Sequence, residues 1–378
     1  MKQRQDGADV SSVEKISDCI KELNGKIALG ADGYVDEVWR IIETRTSRSE
    51  FTLHNKMKNL GEEIVKCGEG GFALEVIRKR RSYGGFTGNT GNALGCLGLW
   101  PVMIGMYGED AIDPVYEKLS DKCELISLGS PGICQVFEFE DGKIMFPYIE
   151  PIIDFDWEAL QGNAEFERIG EIFLESDIIA WGYWSSMPNF DEVVSKICEN
   201  YVVAGRCKTM FFDFADFRKR DKKSLLHTLD YLANLNKIVP MVLSLNENEG
   251  ELLFSYYGKT FDEMKMEKSL VDIREEIGIS EIIVHTPHIA AAAHEIEGYA
   301  QAQNDYCPNP VITAGAGDTF NGGYIAAILG RLGLKERLIM ANGTTSFYVS
   351  NGYAPSKADL IAKINSHQTT FNEGGCQS

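Results

Sequence analysis

Residues 312–323 read ITAGAGDTFNGG and run directly into the apolar helical segment YIAAILGRLG. Gly315 and Gly317 allow the backbone to bend so that N–H groups converge at the start of a helix. Unpaired amides and the helix dipole favour an anion at such a place. Asp318 falls in the first turn of the same helix. The stretch therefore predicts an anion site beside a carboxylate, although a glycine turn with an aspartate cap has the same letters.

Outward from this stretch, short runs rich in Ile, Val and Phe alternate with longer segments of helical period. This pattern is typical of βα units that build a mostly parallel sheet. We expect central strands at residues 26–32, 101–108, 177–184, 208–213, 239–246 and 281–286. Ligands of open α/β sheets bind at the carboxyl ends of the strands, and most of these runs end in Gly, Asp, Asn or Thr. The prediction is one α/β domain over residues 1–378.

One region departs from the βα pattern. Residues 136–146, VFEFEDGKIMF, alternate on both sides of an Asp-Gly turn and predict a β-hairpin. This hairpin forms either an edge of the main sheet or part of a small separate sheet that covers the crevice. A lid of the second kind would exclude water from a reaction, and we place its segments at about residues 37–55 and 133–150.

The stretch between residues 43 and 83 is long and includes GEEIVKCGEGGFALEVIRKRR. It predicts an added helix or an extension of the lid. The basic run at residues 78–81 is either a solvated face or a contact for a phosphorylated substrate or an acidic subunit.

The overall charge narrows the classes of partner. Asp and Glu number 56 against 37 Lys and Arg, which gives a net charge of −19. Non-specific binding to nucleic acid or to an anionic membrane is therefore disfavoured, and a small-molecule partner is expected. Nine cysteines are scattered without a CxxC pair, as in a cytoplasmic protein with reduced thiols. No run has the length of a membrane span.

Two further polar sites follow predicted strands or begin predicted helices. The block at residues 83–110 reads YGGFTGNTGNALGCLGLWPVMIGMYGED, in which Gly85 allows close approach to the backbone and Asn89 offers both a donor and an acceptor. Asp36, in GADGYVDE, can accept from two adjacent hydroxyls, and Asp32 is a nearby alternative. Each site also has a structural interpretation. Asn89 could cap an ordinary strand-to-helix turn, and Asp36 and Asp32 could be solvated acids of a loop.

Together these blocks resemble the two signatures of the ribokinase-like (PfkB) family of carbohydrate kinases, in the family's order, over about residues 27–364. The resemblance implies a three-layer α/β fold, with a mostly parallel central sheet flanked by helices and a small β-sheet lid. It implies transfer of a phosphoryl group from ATP to a hydroxyl of a sugar-like molecule. By this resemblance Asp318 is the general base, with an anion hole from the backbone of Gly315, Ala316, Gly317 and Asp318. The implied substrate residues are Asp36, Gly85 and Asn89.

The same resemblance extends to the nucleotide side. Asn246 and Glu249, in NENE, resemble a family motif that acts around the phosphates and Mg²⁺, which implies Glu249 as the metal residue and Asn246 as a nucleotide residue. Thr286 and Asn342 match family positions near the nucleotide phosphate and base. The spacing of Asn246 and Glu249 is also that of an N-terminal capping box.

The loop after Thr286 has Pro287 and His288 where the family usually has glycines, so the donor stays open. Two alternative functions share the motifs: a nucleoside kinase, and a catalytically idle sensor that binds a sugar or nucleoside. A lid with an exposed apolar face also predicts a homodimer formed by sheet pairing.

Overall fold

The structure is a computed structural model that describes residues 10–373, and its side chains are described over residues 12–366. In chain order, the β-strands are β1 (Ile27–Gly30), β2 (Tyr34–Arg45), β3 (Phe51–Leu53), β4 (Val76–Gly84), β5 (Val102–Gly105), β6 (Glu124–Ser127), β7 (Gly132–Phe139), β8 (Gly142–Tyr148), β9 (Ile178–Gly182), β10 (Thr209–Asp213), β11 (Met241–Asn246), β12 (Glu281–His285), β13 (Ile289–His294) and β14 (Gly298–Gln303). The α-helices are α1 (Val10–Glu22), α2 (Met57–Cys67), α3 (Gly85–Cys96), α4 (Glu117–Ser120), α5 (Glu150–Ile153), α6 (Trp157–Gln161), α7 (Phe166–Glu175), α8 (Phe190–Ile197), α9 (Lys222–Leu235), α10 (Glu247–Tyr256), α11 (Glu267–Ile277), α12 (Ala316–Leu329), α13 (Leu334–Asn351) and α14 (Lys357–Glu373).

The main sheet has nine strands in the spatial order β14-β13-β12-β11-β10-β9-β1-β5-β6. Neighbouring strands from β6 to β12 in this order are parallel, and β13 and β14 add an antiparallel edge. All six expected central strands are present, as β1, β5, β9, β10, β11 and β12. The prediction of a mostly parallel sheet is confirmed.

Helices cover both faces of this sheet, which explains why its strands read as continuous apolar runs. Every residue of β1, IALG, is buried, as expected for a parallel strand with helices on both sides. One core lies under α7 to α11 and includes Phe190 and Leu270. The other lies under α1, α3, α12, α13 and α14 and includes Leu94 and Tyr324. The result is the expected three-layer α/β arrangement.

A smaller sheet of five strands is built from β2, β3, β4, β7 and β8. Strand β2 pairs with β3 and β4 in antiparallel fashion and with β7 in parallel. The hairpin β7–β8 turns at Glu140 and Asp141, between the paired residues Phe139 and Gly142, one residue earlier than the Asp-Gly turn expected from the sequence. The hairpin therefore belongs to a separate sheet and does not form an edge of the main sheet.

The long stretch at residues 43–83 contains β3, the expected added helix α2, and β4. Helix α2 lies on the small sheet, because Leu60 packs against Ile41 and Phe139. Its first turn is held by Asp141, whose carboxylate accepts the N–H of Met57 at 2.9 Å.

The basic run at residues 78–81 lies on β4 rather than on a helix. Its guanidinium groups pair with acids on neighbouring elements, as Arg80 does with Glu138 at 2.7 Å and Arg81 with Asp113 at 3.0 Å. These pairs are partly exposed, so each contributes little to stability on its own.

Within residues 10–373, no helix combines the length and apolar character that a membrane span requires. The eight cysteines in that range are free thiols, and Cys376 lies outside the described residues.

Candidate active site

The glycine turn before α12 is fixed by several hydrogen bonds. Gly315 has φ 76°, a left-handed conformation that glycine adopts without strain. Thr319 donates its amide and its hydroxyl to the carbonyl of Gly315 at 2.9 and 2.8 Å. The hydroxyl of Tyr348 donates to the carbonyl of Ala314 at 2.7 Å. A Cβ at position 315 would lie 2.9 Å from Cγ of Asn89, so glycine is also needed for α3 to pack closely against this turn.

The amides of this turn are not equally available. The amide of Ala316 donates to the carbonyl of Thr313 at 3.2 Å. Those of Gly317 and Asp318 come next in the first turn of α12, where an amide has no intrahelical acceptor. These two amides and the helix dipole are therefore the parts of the turn best suited to an anion.

A half-buried histidine lies beneath this anion site. Cε1 of His285 is 3.3 Å from where a Cβ of Gly317 would stand, and its ring stacks on Phe320 with 4.5 Å between centroids. Burial lowers the pKa of His285 to about 4, so the ring is neutral near pH 7. It shapes the floor of the turn without adding charge.

The carboxylate of Asp318 connects α12 with α3. It accepts a hydrogen bond from Nδ2 of Asn89 at 2.8 Å, and the hydroxyl of Thr90 donates to the Asp318 carbonyl at 3.0 Å. Burial, together with repulsion from Asp213, raises the pKa of Asp318 well above its usual value, and the Asn89 hydrogen bond acts in the opposite direction. A carboxylate with a raised pKa is a better proton acceptor.

A cavity of about 1000 Å³ lies between the end of the main sheet and the small sheet. Its lining brings together Asp36, Gly85, Asn89, Gly315 and Asp318, which come from distant parts of the chain. All its lining residues are in the described range, and six are cationic against four acidic, although the whole chain carries −19. The cationic ones are Arg80, Arg81, Lys118, Lys122, Lys143 and Lys219. The cavity is therefore suited to a ligand that carries negative charge.

Two aspartates near the first strand have different environments. Asp36 is half-buried on β2 and lines the cavity, and burial raises its pKa while Lys143 and Arg80 act in the opposite direction. Asp32 is fully buried and accepts the amides of Phe86 and Thr87 at 2.7 and 2.8 Å. Asp32 thus holds the start of α3, and of the two it is Asp36 that lines the cavity.

On the other side of the site, Asn246 and Glu249 form a complete capping box at the start of α10. The amide of Glu249 donates to Oδ1 of Asn246 at 3.1 Å, and the amide of Asn246 donates to Oε2 of Glu249 at 2.9 Å. Glu249 is 4% exposed, and burial together with nearby Asp213 raises its pKa well above the usual value. The structural interpretation of this motif is therefore correct, and it uses one of the two carboxylate oxygens of Glu249.

The side chains of Thr286 and Asn342 also form hydrogen bonds with backbone groups of the protein. The hydroxyl of Thr286 accepts the amides of His288 and Ile289, both at 3.1 Å. Nδ2 of Asn342 donates to the carbonyls of Ala302 and Gln303 at 3.3 and 3.1 Å and so ties α13 to β14. Among the described residues that line the cavity, none of the four nucleotide-side candidates is present.

Sequence reasoning passed over Asp213, which ends β10. Its Oδ2 accepts from Nδ2 of Asn321 at 2.6 Å, and its Oδ1 accepts the amide of Ala215 at 2.8 Å. The charge of Asp213 acts on Asp318 and on Glu249 and raises the pKa of both. Sequence reasoning could have found Asp213 from its position at the carboxyl end of a predicted strand.

Comparison with known proteins gives consistent matches. The family model for prokaryotic ketohexokinase matches residues 6–367. A ketohexokinase of Haloferax volcanii is 25% identical over 373 residues, which cover 96% of this chain and 98% of the relative.

Solved structures show the same fold at low sequence identity. The Arabidopsis thaliana ribokinase complexed with ribose and ATP aligns with a TM-score of 0.59 and 16% identity, over 90% of this chain and 98% of its own. The Methanocaldococcus jannaschii nucleoside kinase, an archaeal member of the ribokinase family, aligns with a TM-score of 0.60 and 14% identity, over 91% of this chain and 99% of its own. The family-model match spans nearly the whole chain, so the chain belongs to the prokaryotic ketohexokinase family and is a carbohydrate kinase with the ribokinase-like (PfkB) fold.

Proposed function

We propose that this protein transfers the terminal phosphoryl group of ATP to a hydroxyl of a ketohexose. The observation that carries the proposal is one cavity lined by Asp36, Asn89 and Asp318, with the glycine turn beside them. The names of the matching family and of the Haloferax relative support a ketohexose as acceptor. The Arabidopsis structure holds ribose and ATP, which supports ATP as donor.

In the proposed reaction, Asp318 accepts the proton of the attacking hydroxyl. An oxygen–phosphorus bond forms between this hydroxyl and the terminal phosphorus, the bond to the leaving diphosphate breaks, and ADP departs. The amides of Gly317 and Asp318 stabilise the negative charge of the transferring group, while Gly315 and Ala316 set the turn that directs them. The raised pKa of Asp318 makes its ionised carboxylate a stronger proton acceptor.

Positioning supplies the rest of the proposed catalysis. Asp36 accepts hydrogen bonds from adjacent sugar hydroxyls, and Gly85, at φ 84°, lets the substrate come close to the backbone. Asn89 directs the Asp318 carboxylate through their 2.8 Å hydrogen bond. The small sheet lies over the cavity and limits access of water to the reacting groups.

The acidic groups behind Asp318 fit Mg²⁺, which prefers oxygen ligands. Burial raises the pKa of Asp213, and burial together with repulsion from Asp213 raises that of Glu249; a divalent cation relieves such repulsion. Glu249, with Asp213 beside it, would hold the ion directly or through water. When bound, Mg²⁺ neutralises charge on the nucleotide phosphates. Asn246, Thr286 and Asn342 stay proposals as nucleotide residues, supported by the position of the first two at the ends of β11 and β12.

The proposed homodimer would use the outer strand of the small sheet. Phe146 and Tyr148 of β8 are 59% and 53% exposed, more than is usual for large apolar side chains. Sedimentation equilibrium of the wild-type chain and of Phe146→Ser tests this contact. A wild-type dimer that becomes monomeric in the variant supports it, and a wild-type monomer contradicts it.

The test of function is a turnover screen with ATP and Mg²⁺ over ketohexoses, aldohexoses, sugar phosphates and nucleosides. We expect saturable product formation with a ketohexose and turnover within about 1–100 s⁻¹. Preferential phosphorylation of a nucleoside would replace the proposal with the nucleoside kinase alternative. Ligand-dependent thermal stabilisation with no product from any acceptor would indicate the idle sensor. Preference for a sugar phosphate would indicate that the cationic side chains of the cavity bind the phosphate group of the acceptor.

A further inference from the structure

We propose that the small sheet carries a second metal site, for a divalent transition ion, formed by Glu43, His54 and Glu63. Each side chain offers one ligand atom, and the three atoms lie within 4.8 Å of one another. None of the three lines the cavity that contains Asp318. The site lies on the small sheet, whereas Glu249 of the proposed Mg²⁺ position lies at the start of α10, after strand β11 of the main sheet, so the two sites are distinct.

The backbone of the small sheet brings two of these residues together. The pairing of β2 with β3 shifts register between Ile42 and Thr44, so Glu43 is an extra residue in the strand. A bulge of this kind redirects a side chain out of the regular alternation. His54 comes directly after β3, and its amide donates to the carbonyl of Ile41 at 3.0 Å, which fixes the ring next to the bulge.

The third ligand comes from α2. This helix is held on the sheet through Leu60, which packs against Ile41 and Phe139, and Glu63 lies nearly one turn after Leu60 on the same side of the helix. Oε2 of Glu63 lies 3.7 Å from Nε2 of His54. Three separate elements thus converge on one point.

His54 supplies the independent sign of a ligand. Its side chain is 2% exposed. Its Nδ1 is buried without a hydrogen-bond partner in the described part of the chain. Its Nε2 stands farther from Glu63 than a hydrogen bond allows. Buried polar atoms are nearly always paired, and Nδ1 gains its missing partner if it is the ring nitrogen that coordinates the ion.

The donor set indicates the class of ion. One imidazole with two carboxylates suits Zn²⁺, Mn²⁺ or Fe²⁺, whereas Mg²⁺ and Ca²⁺ prefer oxygen ligands alone. The two carboxylates balance the charge of a divalent ion. Tetrahedral ligands about 2.0–2.2 Å from Zn²⁺ stand roughly 3.3–3.6 Å apart, so the three atoms have to move closer. Glu43 is exposed and the Glu63 side chain is 41% exposed, so both can rotate towards His54 and leave a fourth position for water.

An ion in this position would connect α2 to the end of β2 and to the residue after β3. Its effect would be on the rigidity of the small sheet and not on the chemistry of phosphoryl transfer. The informative readouts are therefore metal content and thermal stability, which do not depend on turnover or on the proposed function.

The experiment uses the full chain after chelator treatment, dialysed to equilibrium against Zn²⁺ without nucleotide, with bound metal measured by mass spectrometry. The variants are Glu43→Gln, Glu63→Gln and His54→Ala. The control is Glu62→Gln, which removes an exposed carboxylate next to Glu63 on α2. The two glutamate variants change partly or fully exposed side chains, so they decide the test even if His54→Ala does not fold.

We expect each glutamate variant to bind one Zn²⁺ per chain fewer than wild type and the control, or to bind that ion at least about tenfold more weakly. The Tm of wild type should rise with Zn²⁺ and not with Mg²⁺, and this rise should disappear in Glu43→Gln and Glu63→Gln. Equal Zn²⁺ content and equal Tm in wild type and both glutamate variants would overturn the proposal. Loss of Zn²⁺ in the Glu62→Gln control as well would also overturn it.

Discussion

The two sides of the candidate active site differ in how their polar side chains are used. On the acceptor side, the carboxylates of Asp36 and Asp318 line the cavity. On the donor side, Asn246, Thr286 and Asn342 hold their own backbone through side-chain hydrogen bonds. The motif carboxylates on the acceptor side thus line the cavity, whereas the motif side chains on the donor side form internal hydrogen bonds that fix loops and helix starts. We therefore expect the nucleotide to be held mainly by backbone amides and by the metal.

The largest expected effect is at Asp318. In Asp318→Asn the amide keeps the shape but does not accept the proton, so kcat should fall by about 10²–10⁴-fold with little change in KM for the sugar. Steady-state kinetics with saturating ATP measure this. The control is Asp121→Asn, an exposed aspartate, which should keep wild-type kinetics. Near-normal kcat in Asp318→Asn would mean that the base is elsewhere.

The second effect sharpens the contrast between the two sides. Asp36→Asn removes the charge from hydrogen bonds to the sugar, and each such bond contributes about 1.5–3 kcal/mol. We expect KM for the sugar to rise by about 10–100-fold while KM for ATP stays the same. A parallel rise in both constants would indicate that Asp36 acts on the whole cavity and not on the acceptor.

The third prediction concerns the donor side. Asn342→Ala leaves the carbonyls of Ala302 and Gln303 without their donor, so the free energy of unfolding should fall by about 1–3 kcal/mol. Denaturant unfolding and KM for ATP are measured on the same preparation. A raised KM for ATP with unchanged stability would favour the sequence-based prediction that Asn342 contacts the nucleotide.

The smallest effect is a change in the pH profile. The Asn89 hydrogen bond stabilises the charged form of Asp318, so Asn89→Ala should raise the pKa of Asp318 further. Because the base acts only when deprotonated, activity falls as the pH drops through this pKa. The acidic limb of kcat should therefore move to higher pH, by about half to one unit.

The matched control for this profile is Asn92→Ala. Asn92 is on the same helix and lines the same cavity, but its side chain accepts from Lys122 at 3.0 Å. The acidic limb of the kcat–pH profile of Asn92→Ala should coincide with that of the wild type. A shift of equal size in both variants would show that the cavity as a whole, and not the hydrogen bond to Asp318, sets the pKa.

Much of the fold is predictable because its central strands are apolar runs between helices. The strands that sequence reasoning missed lack this signal. Strand β13 reads IAAAAH, and alanine has little preference for strands, so only its pairing with β12 and β14 defines it. Strand β4 carries the basic run at residues 78–81, whose charges are matched by acids on other elements that only the folded register brings near.

The grouping of Asp36, Asn89 and Asp318 in one cavity was predictable for a different reason. Asp36, Asn89 and Asp318 stand in glycine-rich motifs whose backbone requirements are visible in the letters. Asp213 was not predictable in this way, because its importance comes from charges that approach it from α10 and α12. The role of Asp32 as a helix cap likewise depends on a contact across more than fifty residues of chain.

The central claim is that Asp318 deprotonates a hydroxyl of a sugar held by Asp36 in the same cavity. The most direct measurement is a crystal structure with a ketohexose and a non-hydrolysable ATP analogue. The account predicts one sugar hydroxyl within about 2.6–3.2 Å of an Asp318 carboxylate oxygen and in line with the terminal phosphorus. A sugar bound in this cavity with every hydroxyl beyond hydrogen-bond distance of Asp318 would contradict it.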